Sequence, residues 1–357
     1  MSIEAPRART YMPGLDIIRI LAAVAVIGIH VLGSAAVAGD LGHSGAGLHM
    51  LLSTAVPVFF MMAGALNLAP GAHRRGALNF LRRRGTRIVP ALLFWSVLYQ
   101  VFSVQWSGAP IPDRRRIVDL LVSGQTYTHL YFLFAIAGLY LLAPILQGFL
   151  SGGSADGPSR EGARAWILGI AACAWTAAVM SVPDALPGTS PLMLGTFTFA
   201  LAYAGYFVIG RAAVVAPLPR WAAAAALALS LPLLAMLARL DLGKGLPFLD
   251  PRIVAALRPS YVSPLMIALS VLLFAGVVTF ARAWRVGPDW ERRLRTVGNA
   301  TFGIFLVHFA VMIVLRDVFA LTEHGWAPLL ALWAATLAVS TAITLVAMRI
   351  PGLRLVF

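Results

Sequence analysis

The sequence predicts an all-α fold, a polytopic bundle of about ten helices spanning a lipid bilayer. Three observations carry the prediction. Of 357 residues, 60% are hydrophobic and only 12% charged, about half the charge that soluble domains carry. The mean hydropathy is +0.84. The apolar residues are gathered into runs near the roughly 20 residues that a helix needs to cross the hydrocarbon core.

Taken in order, the first run, Leu15 to Val37, is too long for a signal-peptide core and has no persuasive small-residue cleavage pattern, so a retained first helix is expected. Leu48 to Leu68, Ile88 to Trp106 and Leu130 to Leu150 follow as the second to fourth. Ala165 to Val182 and Leu192 to Ile209 are the shortest, and a hairpin there would lower the count. The seventh, Trp221 to Leu240, contains the alanines Ala222 to Ala226, ordinary small-residue packing between membrane helices. Val262 to Phe280, Val297 to Val318 and Pro328 to Met348 complete the set. No strong internal repeat divides the chain, and residues 1–357 read as one transmembrane domain.

The formal charge of +14 would suggest nucleic acid in a soluble protein. Here the arginines cluster between apolar runs, with no basic stretch interleaved with exposed aromatics as a base-stacking surface requires, so no nucleic-acid partner is expected. Counting Arg and Lys on alternate sides gives 19 against 8, with Arg19 on neither. Positive-inside bias then places both termini in the cytoplasm. The arginine-dense Ala69 to Arg87, the Gly/Ser/Pro-rich Ser151 to Arg160 and the basic Arg282 to Arg295 become cytoplasmic connections, and Ser107 to His129 and Asp241 to Tyr261 outer ones. The single Cys173 allows neither a disulfide framework nor a cysteine metal cluster within one chain, and no metal is expected.

Ionisable groups within a bilayer are costly and mark function by default. Of the histidines, only His30 and His308 fall well inside a run, and no Asp or Glu does; Asp16 lies at the cytoplasmic edge and Asp317 near an outer end. That argues against a carboxylate-driven transporter. Arg19 and His30, eleven residues apart, share one helix face about 16 Å apart along the axis. By itself His30 reads equally as catalytic or as satisfying a neighbouring carbonyl. His308 sits near mid-bilayer, where it could close a site with His30, orient a substrate hydroxyl or bond to the first helix. His129 opens the fourth run at the outer surface, as an interfacial anchor or an acceptor-binding group. Arg84 and Arg87, at i and i+3 before Pro90, can converge on a phosphate or simply fix topology. No GxxxxGK[ST], HExxH or GxSxG pattern occurs, so the usual ATPase, zinc-protease and α/β-hydrolase signatures are missing.

Five patterns, in order along nearly the whole chain, resemble the membrane acyltransferase-3 family, in particular its bacterial surface-polysaccharide O-acyltransferase branch. They are Leu15-Asp16 through Arg19 and Ala22-Ala23-Val24 to His30; Val56-Pro57-Val58-Phe59-Phe60-Met61-Met62-Ala63-Gly64; Arg84-Gly85-Thr86-Arg87-Ile88-Val89-Pro90; His129-Leu130-Tyr131-Phe132 through Tyr140 to Pro144; and Gly298 to His308. Ala63 departs from a frequent Ser, and Pro57 is similar to the enterobacterial-common-antigen-type O-acetyltransferases. The resemblance implies transfer of an acyl group, acetyl by expectation, from cytoplasmic acyl-CoA to a hydroxyl of a lipid-linked or surface glycan of the cell envelope, in a bacterial inner (cytoplasmic) membrane. His30 would be the essential histidine, and Arg19, Arg84 and Arg87 would hold the CoA phosphates. A neutral His30 would act as general base, with Asn67, His308 or a backbone N–H as oxyanion donor. This chemistry requires one continuous cavity from the arginines to His30. The alternative is a glycan or small-molecule exporter, which would ignore acyl-CoA.

Overall fold

The computed structural model describes residues 11–124, 126–152, 158–185, 199–321 and 325–357. Arg7, Arg9, residues 153–157 of the Gly/Ser/Pro-rich connection, 192–198 of the sixth run and His324 lie outside the described residues. Among the described residues the regular elements are all helical, and nine helices are long and apolar enough to cross a membrane. A shorter apolar helix, Ala200–Val215, is the described part of the sixth run.

Helix α1 (Pro13–Val37) starts on a proline, whose fixed φ and missing N–H suit a first turn. Asp16 lies in that turn, where the helix N-terminus favours negative charge. Helices α2 (Gly42–Ser53) and α3 (Ala55–Asn67) form one apolar rod broken at Thr54. Pro57 offers no N–H to the Ser53 carbonyl, while Ser53 Oγ and Thr54 Oγ1 donate back to the His49 and Leu51 carbonyls at 2.8 and 2.7 Å.

Helix α4 (Ala77–Ser107) starts eleven residues before the expected Ile88. Arg82 to Arg87 are therefore helical and not part of a connection. Hydropathy follows composition, whereas arginine is a good helix former, and no proline intervenes before Pro90. The connection after α4 holds an amphipathic helix, α5 (Arg114–Ser123), capped by the Asp113 carboxylate accepting from the Arg116 N–H at 2.7 Å and ended by left-handed Gly124. Next come α6 (Tyr131–Ser151), α7 (Pro158–Ala185), α8 (Ala204–Val215), α9 (Arg220–Asp241), the short α10 (Pro251–Ala256), α11 (Pro264–Ala281), α12 (Pro288–Val318) and α13 (Trp326–Ala347). Helix α12, like α4, extends back beyond its apolar run, so Arg292 to Arg295 are helical too.

Helix α1 is the hub, packing against α2, α3, α11, α12 and α13. Lipid tails are as apolar as leucine, so helices in a bilayer associate by close packing of small residues. Helices α3 and α8 cross in that way. A Cβ on Gly64 would land on the Phe207 carbonyl, and one on Gly210 on the Met61 carbonyl. The second turn of α1, the third turn of α4 and its neighbours, the middle of α12, the later turns of α3 and the first half of α6 meet at the arginine-rich end around a cavity.

Candidate active site

The candidate residues fall into two groups, one above the other. Arg19 of α1, Arg84 and Arg87 of α4 and Asn67 of α3 line a single cavity of about 200 Å³ at the arginine-rich end. Arg19 is 3.4 Å from Asp16 one turn earlier on its helix. Arg84 lies over the Phe80 and Tyr140 rings, and Arg87 over Phe302 at 5.4 Å. No Asp or Glu is among the residues lining the cavity. Arg84 and Arg87 thus share a cationic chamber, as their i, i+3 spacing on one helix allows.

Asn67 is buried, with its Nδ2 donating to the Ala63 carbonyl at 2.8 Å and the Tyr140 hydroxyl at 3.3 Å. Its Oδ1 has no partner among the described residues. The structure therefore places Asn67 in the cavity with the arginines, whose lining does not include His30. His73 holds the end of α3, its ring nitrogen donating to the Asn67 carbonyl at 2.7 Å.

The three histidines form the second group. His30 and His308 have ring centroids 5.4 Å apart, His129 and His308 5.2 Å, and His30 and His129 6.5 Å. His129 is 2% exposed, which corrects its expected place at the outer surface. The turn from Thr126 to Leu130 folds inward, the Tyr127 ring stacks on Tyr99 at 4.3 Å, and His129 stacks on Phe309. His308 Nδ1 donates to the Phe305 carbonyl of its own helix at 2.6 Å, so it makes no supporting bond to α1 through that nitrogen. Its Nε2 and both His129 nitrogens are buried without a hydrogen bond of standard geometry among the described residues. Buried polar atoms left unpaired are costly, and such groups mark sites whose purpose is not stability. His30 alone of the three remains partly exposed. Among the described residues no group of three or more His, Cys, Asp or Glu has metal-ligand geometry.

A double aromatic layer separates the groups. Phe132 and Phe305, 5.2 Å apart, line the arginine cavity on one side. On the other side Phe305 touches His129 at 5.4 Å and His308 at 5.9 Å. The cavity expected to run unbroken from the arginines to His30 therefore ends at these rings. The cause is helical spacing: Phe305 lies three residues before His308, on the same face of α12.

Sequence reasoning missed Tyr99, Tyr127, Tyr140 and Asn299. Tyr99 links α4 to α12, donating to the Leu306 carbonyl at 2.8 Å and accepting from the Ala310 N–H at 3.3 Å. Tyr140 is eleven residues after His129, the spacing that singled out Arg19 and His30, and Asn299 follows Gly298 within a quoted pattern; both could have been found by those signals. Tyr99 and Tyr127 carry no sequence signal of their own.

A family model described as an acyltransferase domain, that of the acyltransferase-3 family, matches residues 12–349. No curated protein and no solved structure matches the chain.

Proposed function

This chain belongs to the acyltransferase-3 family, and from that premise we propose that it moves an acyl group, acetyl by preference, from cytoplasmic acyl-CoA to a hydroxyl of a lipid-linked or surface glycan. The observation that carries this reading is the three-arginine cavity beside a three-histidine cluster, with the Phe305 ring lining the one and touching the other. Guanidinium groups without a lining carboxylate suit the phosphates of CoA, since each fork can donate two parallel hydrogen bonds. Arg19, Arg84 and Arg87 would hold those phosphates, and bound acyl-CoA would supply the thioester carbonyl. The arginine-rich end would face the cytoplasm.

His30, partly open where His129 and His308 are sealed, would accept the proton of the acceptor hydroxyl as the new ester C–O bond forms and the C–S bond breaks. It would then return that proton to the departing thiolate, so that base and acid are one imidazole. His308, with its Nδ1 spent on Phe305, presents Nε2 as an acceptor that can hold a second hydroxyl of the glycan, since the reacting hydroxyl's single proton goes to His30. His129 would bind the acceptor beside it. Phe132 and Phe305 would have to turn aside for the two substrates to meet.

The test uses purified full-length protein with labelled acetyl-CoA and a panel of lipid-linked glycans, the label being located by mass spectrometry. His30→Ala should lower transfer by about 10²–10⁴-fold while the protein remains folded in detergent, and Arg84→Ala should weaken acetyl-CoA binding about ten- to hundredfold. Near-normal transfer by His30→Ala would overturn the base assignment. A wild-type protein that ignores acetyl-CoA yet moves glycan across sealed vesicles would make the chain an exporter.

A further inference from the structure

His49 and Asp241 are largely buried ionisable groups that the proposed reaction does not use. Helix α2 packs against both α1 and α9. Across the second of these contacts His49 Nδ1 lies 3.2 Å from Asp241 Oδ2, and the two side chains are only 12% and 10% exposed. An ionised carboxylate accepts and cannot donate, so Nδ1 carries the hydrogen of this bond. Asp241 is the last residue of α9, where the negative end of the helix dipole disfavours a carboxylate. Its placement does not serve the helix, and His49 is the group it meets.

The other edge of the His49 ring turns toward α1. His30 stands seven residues before the end of α1 and His49 seven after the start of α2, so both lie about 10 Å from that end of their helices. Gly33, one turn past His30 on the same face of α1, adds no side chain there, and a Cβ on it would come 3.9 Å from His49 Nε2. The His30 ring is within electrostatic reach of His49, as it is of His308. His129 and Phe309 flank it, with ring centroids at 6.5 and 4.9 Å. The exposed His43 and Lys244 pair with each other at 3.2 Å.

An imidazole turns cationic when it takes a proton or attacks a carbonyl, and two cationic rings side by side repel. A neutral His49 held by Asp241 instead sets a full carboxylate charge behind His30, in surroundings that screen charge poorly. We propose that His49 and Asp241 are a positioning pair for His30, holding a carboxylate where it stabilises the imidazolium that His30 becomes as the acceptor hydroxyl reacts. The proton stays on His30 until it passes to the departing thiolate. That the pair serves acyl transfer rests on the acyltransferase reading; that it stabilises positive charge on His30 does not.

The test reads His30 directly, with neither acyl donor nor acceptor present. Purified full-length protein in detergent is treated with diethyl pyrocarbonate, whose carbonyl carbon the imidazole attacks with loss of ethyl carbonate, so that positive charge develops on the ring. Mass spectrometry follows the label at each histidine. Asp241→Asn should slow the labelling of His30 about tenfold, the effect of one nearby charge in a poorly screened site. The apolar pair His49→Phe/Asp241→Leu, which leaves neither group buried without its partner, should slow it comparably, because the two residues act as a unit. Asp241→Glu keeps the charge and should stay within about threefold of wild type. The exposed His43 should be labelled at the wild-type rate throughout, and each variant should keep one cooperative melting transition. The slowed variants should lose acetyl transfer by a similar factor with acetyl-CoA affinity unchanged. A His30 rate that is unchanged or faster in folded Asp241→Asn or the double variant, or as slow in Asp241→Glu as in Asp241→Asn, would overturn the proposal and leave the pair a packing link between α2 and α9. Slowed labelling in variants of a protein that ignores acetyl-CoA would sink the acyltransferase reading and leave the pair standing.

Discussion

Asp16 makes a compact link between the start of α1 and the arginine cavity. One of its oxygens is 3.4 Å from Arg19 and the other accepts the Tyr11 hydroxyl at 2.8 Å. A Cβ on Gly298 would stand 3.1 Å from the carboxylate, so α12 approaches closely on that side. Burial, and then Asp16 itself, push the Tyr11 phenol up to about 12. A phenol whose folded-state value is raised keeps its proton, so its bond to Asp16 is fully present below the ordinary value near 10. It is lost only as the pH climbs through about 12, and the link therefore persists throughout the neutral range. Asp16 positions Arg19 without lining the cavity, and Asp16→Asn should raise the acetyl-CoA dissociation constant about two- to fivefold, the scale of a partly exposed ion pair, with kcat at saturation preserved. A titration showing unchanged affinity would mean that Arg19 is held by packing alone. At this scale the sequence was informative where one helix carries the whole relation, as with Arg84 and Arg87, which line one cavity. It failed for His129, because its burial depends on a turn folding inward onto the Tyr99 and Tyr127 rings, a contact no local pattern announces.

At the scale of elements, the long apolar helices were legible because hydrocarbon thickness dictates their length. Their ends were less so: α4 and α12 continue through arginine-rich turns, since the helix backbone does not stop where hydropathy falls. Helix α5 escaped notice because its three leading arginines hide a short amphipathic pattern inside a connection. The α3–α8 crossing was equally hidden, as glycine spacing on one helix says nothing about which partner approaches. That crossing gives a direct test. With both glycine faces pressed onto backbone carbonyls, Gly64→Ala and Gly210→Ala should each lower stability by about 1–3 kcal/mol, the usual cost of overpacking. Gly148 on α6, where a Cβ would meet nothing within 4 Å, serves as the control; Gly148→Ala should hold or gain stability. Thermal unfolding in detergent measures all of them, and a Gly64→Ala midpoint equal to wild type would show that α3 and α8 can part without penalty.

For the whole molecule, the arginine cavity and the histidine cluster both draw on α1 and α12, with His129 in the turn that leads into α6, yet Phe132 and Phe305 stand between them. A thioester meeting water near a base would be hydrolysed, and excluding water is one of the services an active site performs. The aromatic layer can serve both demands if it stays closed until an acceptor occupies the histidine side. Phe305 is the ring to change, because it touches the arginine cavity, His129 and His308 at once. Phe305→Leu keeps an apolar residue there and removes the wall. Release of CoA from acetyl-CoA without any glycan acceptor should then rise severalfold, while acetyl-CoA affinity, set by the arginines, stays near the wild-type value. The double variant Phe305→Leu/His30→Ala should lose that extra release, since water would lack its base. Acceptor-free CoA release that is the same in wild type and Phe305→Leu, with transfer to glycan intact, would mean that the rings are ordinary packing and that the acyl group reaches His30 by another route.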